Sequence, residues 1–301
     1  MFDHFPGGFM LTSPVYRAIA PETALSRHLS TDRLLARICV RPPYFALSDL
    51  SAEAGRLNAT ARAELPRSQE LGPIQGAELS RHAAIAGLCA AALAQADDQR
   101  RYYLAQKAQY TGFLNDAPYG SVITLQAELL NLSKREATAR IEAFAGGKPL
   151  AVVEVEYTIL TDSAFSRLFR SRARPEFSAE GLGRMPALPD GTIQRDGPRW
   201  IRRIGEVPVQ ACAGHFDRYP AMPVAILMGQ LSQLAGLSLG GDQAFFIPHA
   251  EVVAHDFCWA GESATFEVEE TSAQAANHVF ACQAEAAGRT VGQMQLTLSR
   301  R

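Results

Sequence analysis

Residues 215–236 read HFDRYPAMPVAILMGQLSQLAG, and this stretch decides how the rest of the chain is read. Two prolines, Pro220 and Pro223, lead from a His-Phe loop into an apolar run. Pro223 suits the first turn of a helix, where its missing N–H would have no partner anyway. Val224, Ile226, Leu227, Leu231 and Leu234 then form a run that fits a buried helix, and Gly236 ends it. His215 is therefore expected on a rigid loop beside a helix N-terminus. Unpaired N–H groups and the helix dipole favour negative charge there, which suits proton abstraction next to a carbonyl.

Working outward, residues 206–213 read as a strand before this helix, expected over 222–237. Strands over 245–257, 264–270, 278–286 and 290–298 follow it. The first half shows the same order. A strand over 57–65 precedes an Ala-rich helix over 76–96, and strands over 102–113, 121–132, 136–144 and 150–159 follow, the last two joined by Gly146-Gly147. The same element order with little sequence identity points to an α+β chain with an internal duplication. The boundaries expected are an N-terminal extension 1–50, a first unit 51–165, a linker 166–198 and a second unit 199–301. Within the extension, 21–40 looks helical. His4-Phe5-Pro6-Gly7 imitates the later loop, without a preceding strand or a following helix.

Composition bounds the function. With 301 residues, 47% of them hydrophobic, and a net charge of −2, the chain has material for two modest cores. It has no electrostatic footprint for nucleic acid. The five cysteines are scattered, so neither a disulfide framework nor a metal site is expected, and a reducing cytoplasm is the default. No apolar run reaches membrane-spanning length, and no secretory leader is seen. No cofactor is expected.

His215, Phe216, Pro220, Met222 and Pro223 reproduce a His-Phe-x-x-x-Pro-x-Met-Pro loop. In this the chain resembles the FabA/FabZ-type 3-hydroxyacyl thioester dehydratases, which have the hotdog fold. The resemblance implies a double hotdog, two tandem units each with a long central helix wrapped by an antiparallel sheet. Asp217 and Arg218 depart from the family's apolar residue and glycine, and Val224 replaces a glycine. The family's acidic residue, fourteen positions after the histidine, is here Gly229. In the first half the same count links Glu64 to Glu78, so the halves look complementary.

The implied chemistry is elimination of water. His215 would take the α-proton, and Glu78, its pKa raised by an apolar tunnel, would protonate the leaving hydroxyl. His82, one turn beyond Glu78, and Gln233 at the corresponding place on the second helix are supporting candidates, with Pro220, Met222, Pro223, Val224 and Gly76 shaping the site. Pro73 stands at the family's oxyanion glycine and has no N–H, so Ile74, Gln75 or Gly76 would have to donate. The partner implied is an acyl thioester on acyl carrier protein or CoA. Basic residues of the linker region (Arg167, Arg170, Arg172, Arg174, Arg199, Arg202, Arg203) are candidates for docking it. Two alternatives stay open: a hotdog thioesterase in which Glu78 works through a bound water, and a non-catalytic acyl- or carrier-binding protein. Isomerisation or cyclisation would use the same acid–base pair. Whether two copies form a homodimer also stays open.

Overall fold

In the computed structural model, which describes residues 27–53, 55–178, 190–240 and 243–301, alternation of burial along the strands sets the architecture. The first half contributes β1 (Arg27–His28), α1 (Thr31–Leu35), β2 (Ser48–Glu53), β3 (Arg56–Ala61) and α2 (Gly76–Leu93). Then come β4 (Arg101–Gly112), β5 (Ile123–Leu132), β6 (Glu136–Ala145) and β7 (Lys148–Thr161). After α3 (Asp162–Leu168), the second half supplies β8 (Thr192–Asp196), β9 (Arg199–Glu206), β10 (Ala221–Met222) and α4 (Val224–Ser238). It ends with β11 (Phe245–Ala254), β12 (Cys258–Trp259), β13 (Ser263–Gln274), β14 (Asn277–Ala286) and β15 (Arg289–Arg300).

Among the described residues, one antiparallel 13-stranded sheet runs in the order β1-β2-β3-β5-β6-β7-β4-β11-β15-β14-β13-β9-β8, and β10 pairs with β12 apart from it. The halves meet side by side where β4 pairs with β11, from Thr111 opposite His249 to Lys107 opposite Val253. β6 shows the driving pattern, burying Ala137, Ala139, Ile141, Ala143 and Ala145 in strict alternation.

Helix α2 packs on strands β3 to β7, α4 packs on β9 and β13 to β15, and the helices touch each other. Small residues permit this closeness. A Cβ on Gly87 would lie 2.4 Å from the hydroxyl of Tyr157, which donates to the Ala84 carbonyl at 2.8 Å. A Cβ on Gly236 would lie 2.4 Å from the ring of Phe245. Covered by sheet and partner helix, α2 buries even Arg81 and His82.

Both central helices and the four strands after each lie where the sequence suggests. Three expectations need correction. The strand before the second helix is β9, Arg199–Glu206, while half of 206–213 is a 3-10 turn, Val209–Cys212; Pro208, without an N–H, cannot continue a ladder. The expected linker 166–198 contains β8, an exposed edge strand whose five residues carry no apolar alternation. Of the helix expected over 21–40, the described part is helical only in α1, capped by Ser30, after which Ile38, Tyr44 and Phe45 enter the core. The 4–7 imitation of the His-Phe loop lies outside the described residues. Among the described residues, no helix is long and apolar enough to cross a membrane.

Candidate active site

The loop that carries His215 is closed by its own hydrogen bonds. The Ala221 N–H donates to the His215 carbonyl at 3.1 Å, and Phe216 and Tyr219 exchange backbone bonds at 3.2 Å. Gly214 precedes the histidine with φ of +78°, and a Cβ there would lie 2.2 Å from the Arg41 carbonyl oxygen. The Arg41 N–H donates to the Gly214 carbonyl at 2.9 Å, so the segment after α1 clamps the loop. The Phe216 ring packs on Tyr102, Phe165 and Phe257, and Tyr44 stands edge-on to His215 with ring centres 5.1 Å apart.

His215 Nδ1 lies 3.1 Å from the Ala221 carbonyl oxygen. A carbonyl only accepts, so Nδ1 carries the proton and Nε2 offers a lone pair. No hydrogen bond engages Nε2 among the described residues. Burial pushes the imidazole down to about 4, against the smaller opposing effect of the Ala221 carbonyl, so the ring is neutral near pH 7.

The chain next enters α4. Pro223 is its N-cap and offers no side-chain cap, so the N–H groups of the first turn, Val224 and Ala225, have no intrahelical acceptor. Val224, Ala225 and His215 line the same cavity of about 290 Å³. Ala84, Leu88, Val155, Leu227, Val252 and Leu296 are among its apolar walls, and exposed His255 and Asp256 border it. It lies between the two helices and the β4–β11 seam. Pro220 and Met222 are buried supports of the loop, and Met222 also reaches the cavity.

The corresponding helix start in the first half is blocked. Glu70 Oε1 accepts the Gly76 N–H at 2.6 Å, occupying the first donor of α2. Burial raises Glu70 to about 7, against the pull of that hydrogen bond.

Glu78 stands elsewhere. It lines a second, more polar cavity of about 900 Å³ together with Gly229, Gln230 and Gln233, whereas His215 belongs to the first. Its Oε1 accepts the N–H groups of Glu64 at 2.7 Å and Leu65 at 3.3 Å. Its Oε2 is sealed from solvent and has no partner among the described residues. Burial raises its pKa, opposed by these hydrogen bonds and Arg81. His82 is fully buried and driven down to about 3, first by burial and then by Arg81.

Donor atoms of Glu64, Glu78 and His82 lie within 4.8 Å of one another, a spacing a metal ion could use. The Arg81 guanidinium already takes that role. It pairs with Glu64 and reaches His82 Nε2 at 3.5 Å, so a second cation would meet like charge.

The structure thus brings His215, Met222, Val224 and Gly76 to one cavity and places Glu78 and Gln233 at another. Sequence reasoning missed Tyr44, Glu70 and Tyr110. Their sequence surroundings carry no motif, and they meet the site only through folding. The linker arginines are partly engaged inside the chain. Arg172 pairs with Glu262, Arg174 donates to the Ala260 carbonyl, Arg199 pairs with Asp196 and Glu267, and Arg202 donates to Gln230.

In sequence, no protein-family model matches the chain, and no curated protein matches it. In structure, it is similar to the TesB protein of Mycobacterium avium subsp. paratuberculosis (14% identity, TM-score 0.53, covering 84% of this chain and 96% of that one). It is also similar to an acyl-ACP thioesterase from Bacteroides thetaiotaomicron (10%, 0.54, 81% and 98%). A third similar structure is a conserved hot dog fold protein from Alicyclobacillus acidocaldarius (11%, 0.51, 87% and 99%). The chain therefore has the hotdog fold.

The dehydratase expectation is overturned. Similar structures are named thioesterases, among them the one from B. thetaiotaomicron. Elimination also needs its base and acid on one bound substrate, and His215 and Glu78 face different cavities.

Proposed function

We propose that the protein is an acyl-thioester hydrolase of double-hotdog architecture, with units at about 51–165 and 199–301 and a single working site at the start of α4. The observation that carries this reading is that His215 and the uncapped first turn of α4 open into one apolar cavity. An acyl chain would lie in that cavity with its thioester carbonyl at the helix N-terminus. His215 Nε2 takes a proton from water as the water oxygen bonds to the carbonyl carbon. The carbonyl oxygen gathers negative charge against the Val224 and Ala225 N–H groups. Collapse breaks the carbon–sulfur bond, and the imidazolium returns its proton to the departing thiolate, giving a carboxylic acid and a free thiol. The names of similar structures support the substrate class, and CoA and acyl carrier protein both remain as thiol carriers.

Glu78 is the weaker choice for activating water, because Oε1 is held by two backbone donors and Oε2 is out of water's reach. The test is thiol release from acyl-CoA thioesters by the purified protein. Thiol release that falls 10²- to 10⁴-fold in His215→Ala supports the reading. No release by the wild type, or an unchanged rate in the variant, removes it.

A further inference from the structure

The second cavity, of about 900 Å³, has room for a ligand of its own and differs from the first in chemistry. Three side chains on its wall carry an atom that is sealed from water and has no partner: Glu78 (Oε2), Arg81 (Nε) and Arg202 (Nε). Among the described residues, no side chain lining the first cavity carries one. Glu78 and Arg81 are 3% and 1% exposed. The Arg81 charge is met by Glu64. Arg202 instead donates to a neutral amide, Gln230 Oε1 at 2.6 Å, and burial lowers its pKa against the pull of exposed Asp190. Arg67, also on the wall, is exposed and pairs with no carboxylate among the described residues. Gln233 adds an amide with no hydrogen bond among them. Buried polar groups are normally paired, so this wall holds cationic and amide capacity that the chain itself leaves unused.

The two cavities meet at the start of both helices. Val224 lines the first alone, Ile226 the second alone, and Ala225 between them lines both. On α2, Gly76, Ala77 and Glu78 divide in the same way. The first turn of α4, where the thioester carbonyl is placed, therefore borders the polar cavity as well as the apolar one. We propose that the second cavity holds the carrier arm of the thioester, a phosphopantetheine, with its phosphate on Arg67 and Arg202 and its amides on Gln230 and Gln233. This rests on the hydrolase reading and names its carrier site. Guanidinium groups bind phosphate oxygens through charge-assisted, paired hydrogen bonds, and each amide of the arm can both donate to and accept from a glutamine. Helix α4 lines the cavity from Ala225 to Leu237, about 18 Å of helix axis. The arm, about a dozen bonds from sulfur to phosphorus, spans roughly 15 Å when extended. The acyl carbons stay in the first cavity, so Glu78 faces the arm and not the carbons that a dehydration would change.

The experiment is titration calorimetry on the full chain with CoA, 4′-phosphopantetheine and pantetheine, which has the arm without the phosphate. Phosphopantetheine should bind about 10-fold or more tighter than pantetheine. That advantage should vanish in Arg202→Gln and shrink in Arg67→Gln, an exposed position where folding is not at stake. Equal affinity for CoA and phosphopantetheine supports the site with the arm shared by acyl carrier protein as its ligand. CoA tighter by about 10-fold or more supports it with CoA itself as the carrier. No binding of CoA, pantetheine as tight as phosphopantetheine, or arginine variants that bind like the wild type would each overturn it. Binding is read without turnover, so the two readings fail separately. A protein that binds CoA in this way but hydrolyses no acyl-CoA keeps the site and loses the hydrolase reading, whereas hydrolysis with no dependence of CoA binding on either arginine removes the site alone.

Discussion

His215 and Ala221 bond to each other twice: the Nδ1 of the ring donates to the Ala221 carbonyl, and the Ala221 N–H donates to the His215 carbonyl, both at 3.1 Å. The first bond fixes the tautomer and the second fixes the loop that aims the ring. Because burial holds the imidazole down to about 4, the base form persists well below the usual histidine range. The acid limb of kcat/KM for thioester hydrolysis should therefore fall near pH 4. A limb near 6.5, the ordinary value, would mean that His215 is solvated or is not the base.

Gly214 should be among the least replaceable residues of the loop. At φ of +78°, with the Arg41 carbonyl oxygen 2.2 Å from any added Cβ, Gly214→Ala must displace the backbone of the segment after α1. A loss of about 1–3 kcal/mol in urea unfolding is expected, accompanied by a lower kcat as His215 loses its aim. An alanine variant with unchanged stability and rate would show that the clamp does not hold the histidine.

Glu78 offers a clean separation of anchoring from chemistry. Its Oε1 holds two backbone N–H groups at the end of the first half's strand region. Glu78→Ala leaves both donors unpaired and should cost about 2–4 kcal/mol of stability. Glu78→Gln keeps an acceptor oxygen in place, so it should retain most of the stability and most of the thiol release. A glutamine variant that unfolds normally yet releases no thiol would return Glu78 to the chemistry.

Much of the architecture could be read before any coordinates, and the reasons are physical. Periodicity is strong where one face is buried, so α2, α4 and the strands flanking their seam announce themselves. β8 did not, because an edge strand exposed along its whole length has no reason to alternate. The turn at Val209–Cys212 imitated a strand because Val207, Val209 and Ala211 recur at every second residue, with exposed Gln210 between the last two. At the site, the proline-framed loop marked His215 correctly as a residue beside a helix start. Pairing it with Glu78 relied on counting along the chain, and counting does not say which side of the α2–α4 contact a side chain leaves from. Glu70 and Tyr110 were invisible for a related reason. They lie forty residues apart on a loop and a strand, and each comes near the start of α2 only in the folded chain, where a Cβ on Gly76 would meet Glu70 Oε1 at 3.1 Å and the Tyr110 hydroxyl at 3.5 Å.

Glu70 also links the site to stability. Burial raises its carboxyl from the ordinary 4.5 to about 7, even with the Gly76 N–H donating to it. Between those values the folded chain holds a proton that the unfolded chain has released. The contribution of this group is therefore fully present below about pH 4.5 and is lost as the pH rises through about 7. Glu70→Gln has no such proton, and its amide oxygen can still accept from Gly76. Relative to the wild type, the variant should gain about 3 kcal/mol of stability between pH 4.5 and pH 7.5. Urea unfolding of both proteins across that range measures the difference directly. Parallel stability curves would show that the Glu70 carboxyl is ionised in the folded protein throughout and is not desolvated by burial.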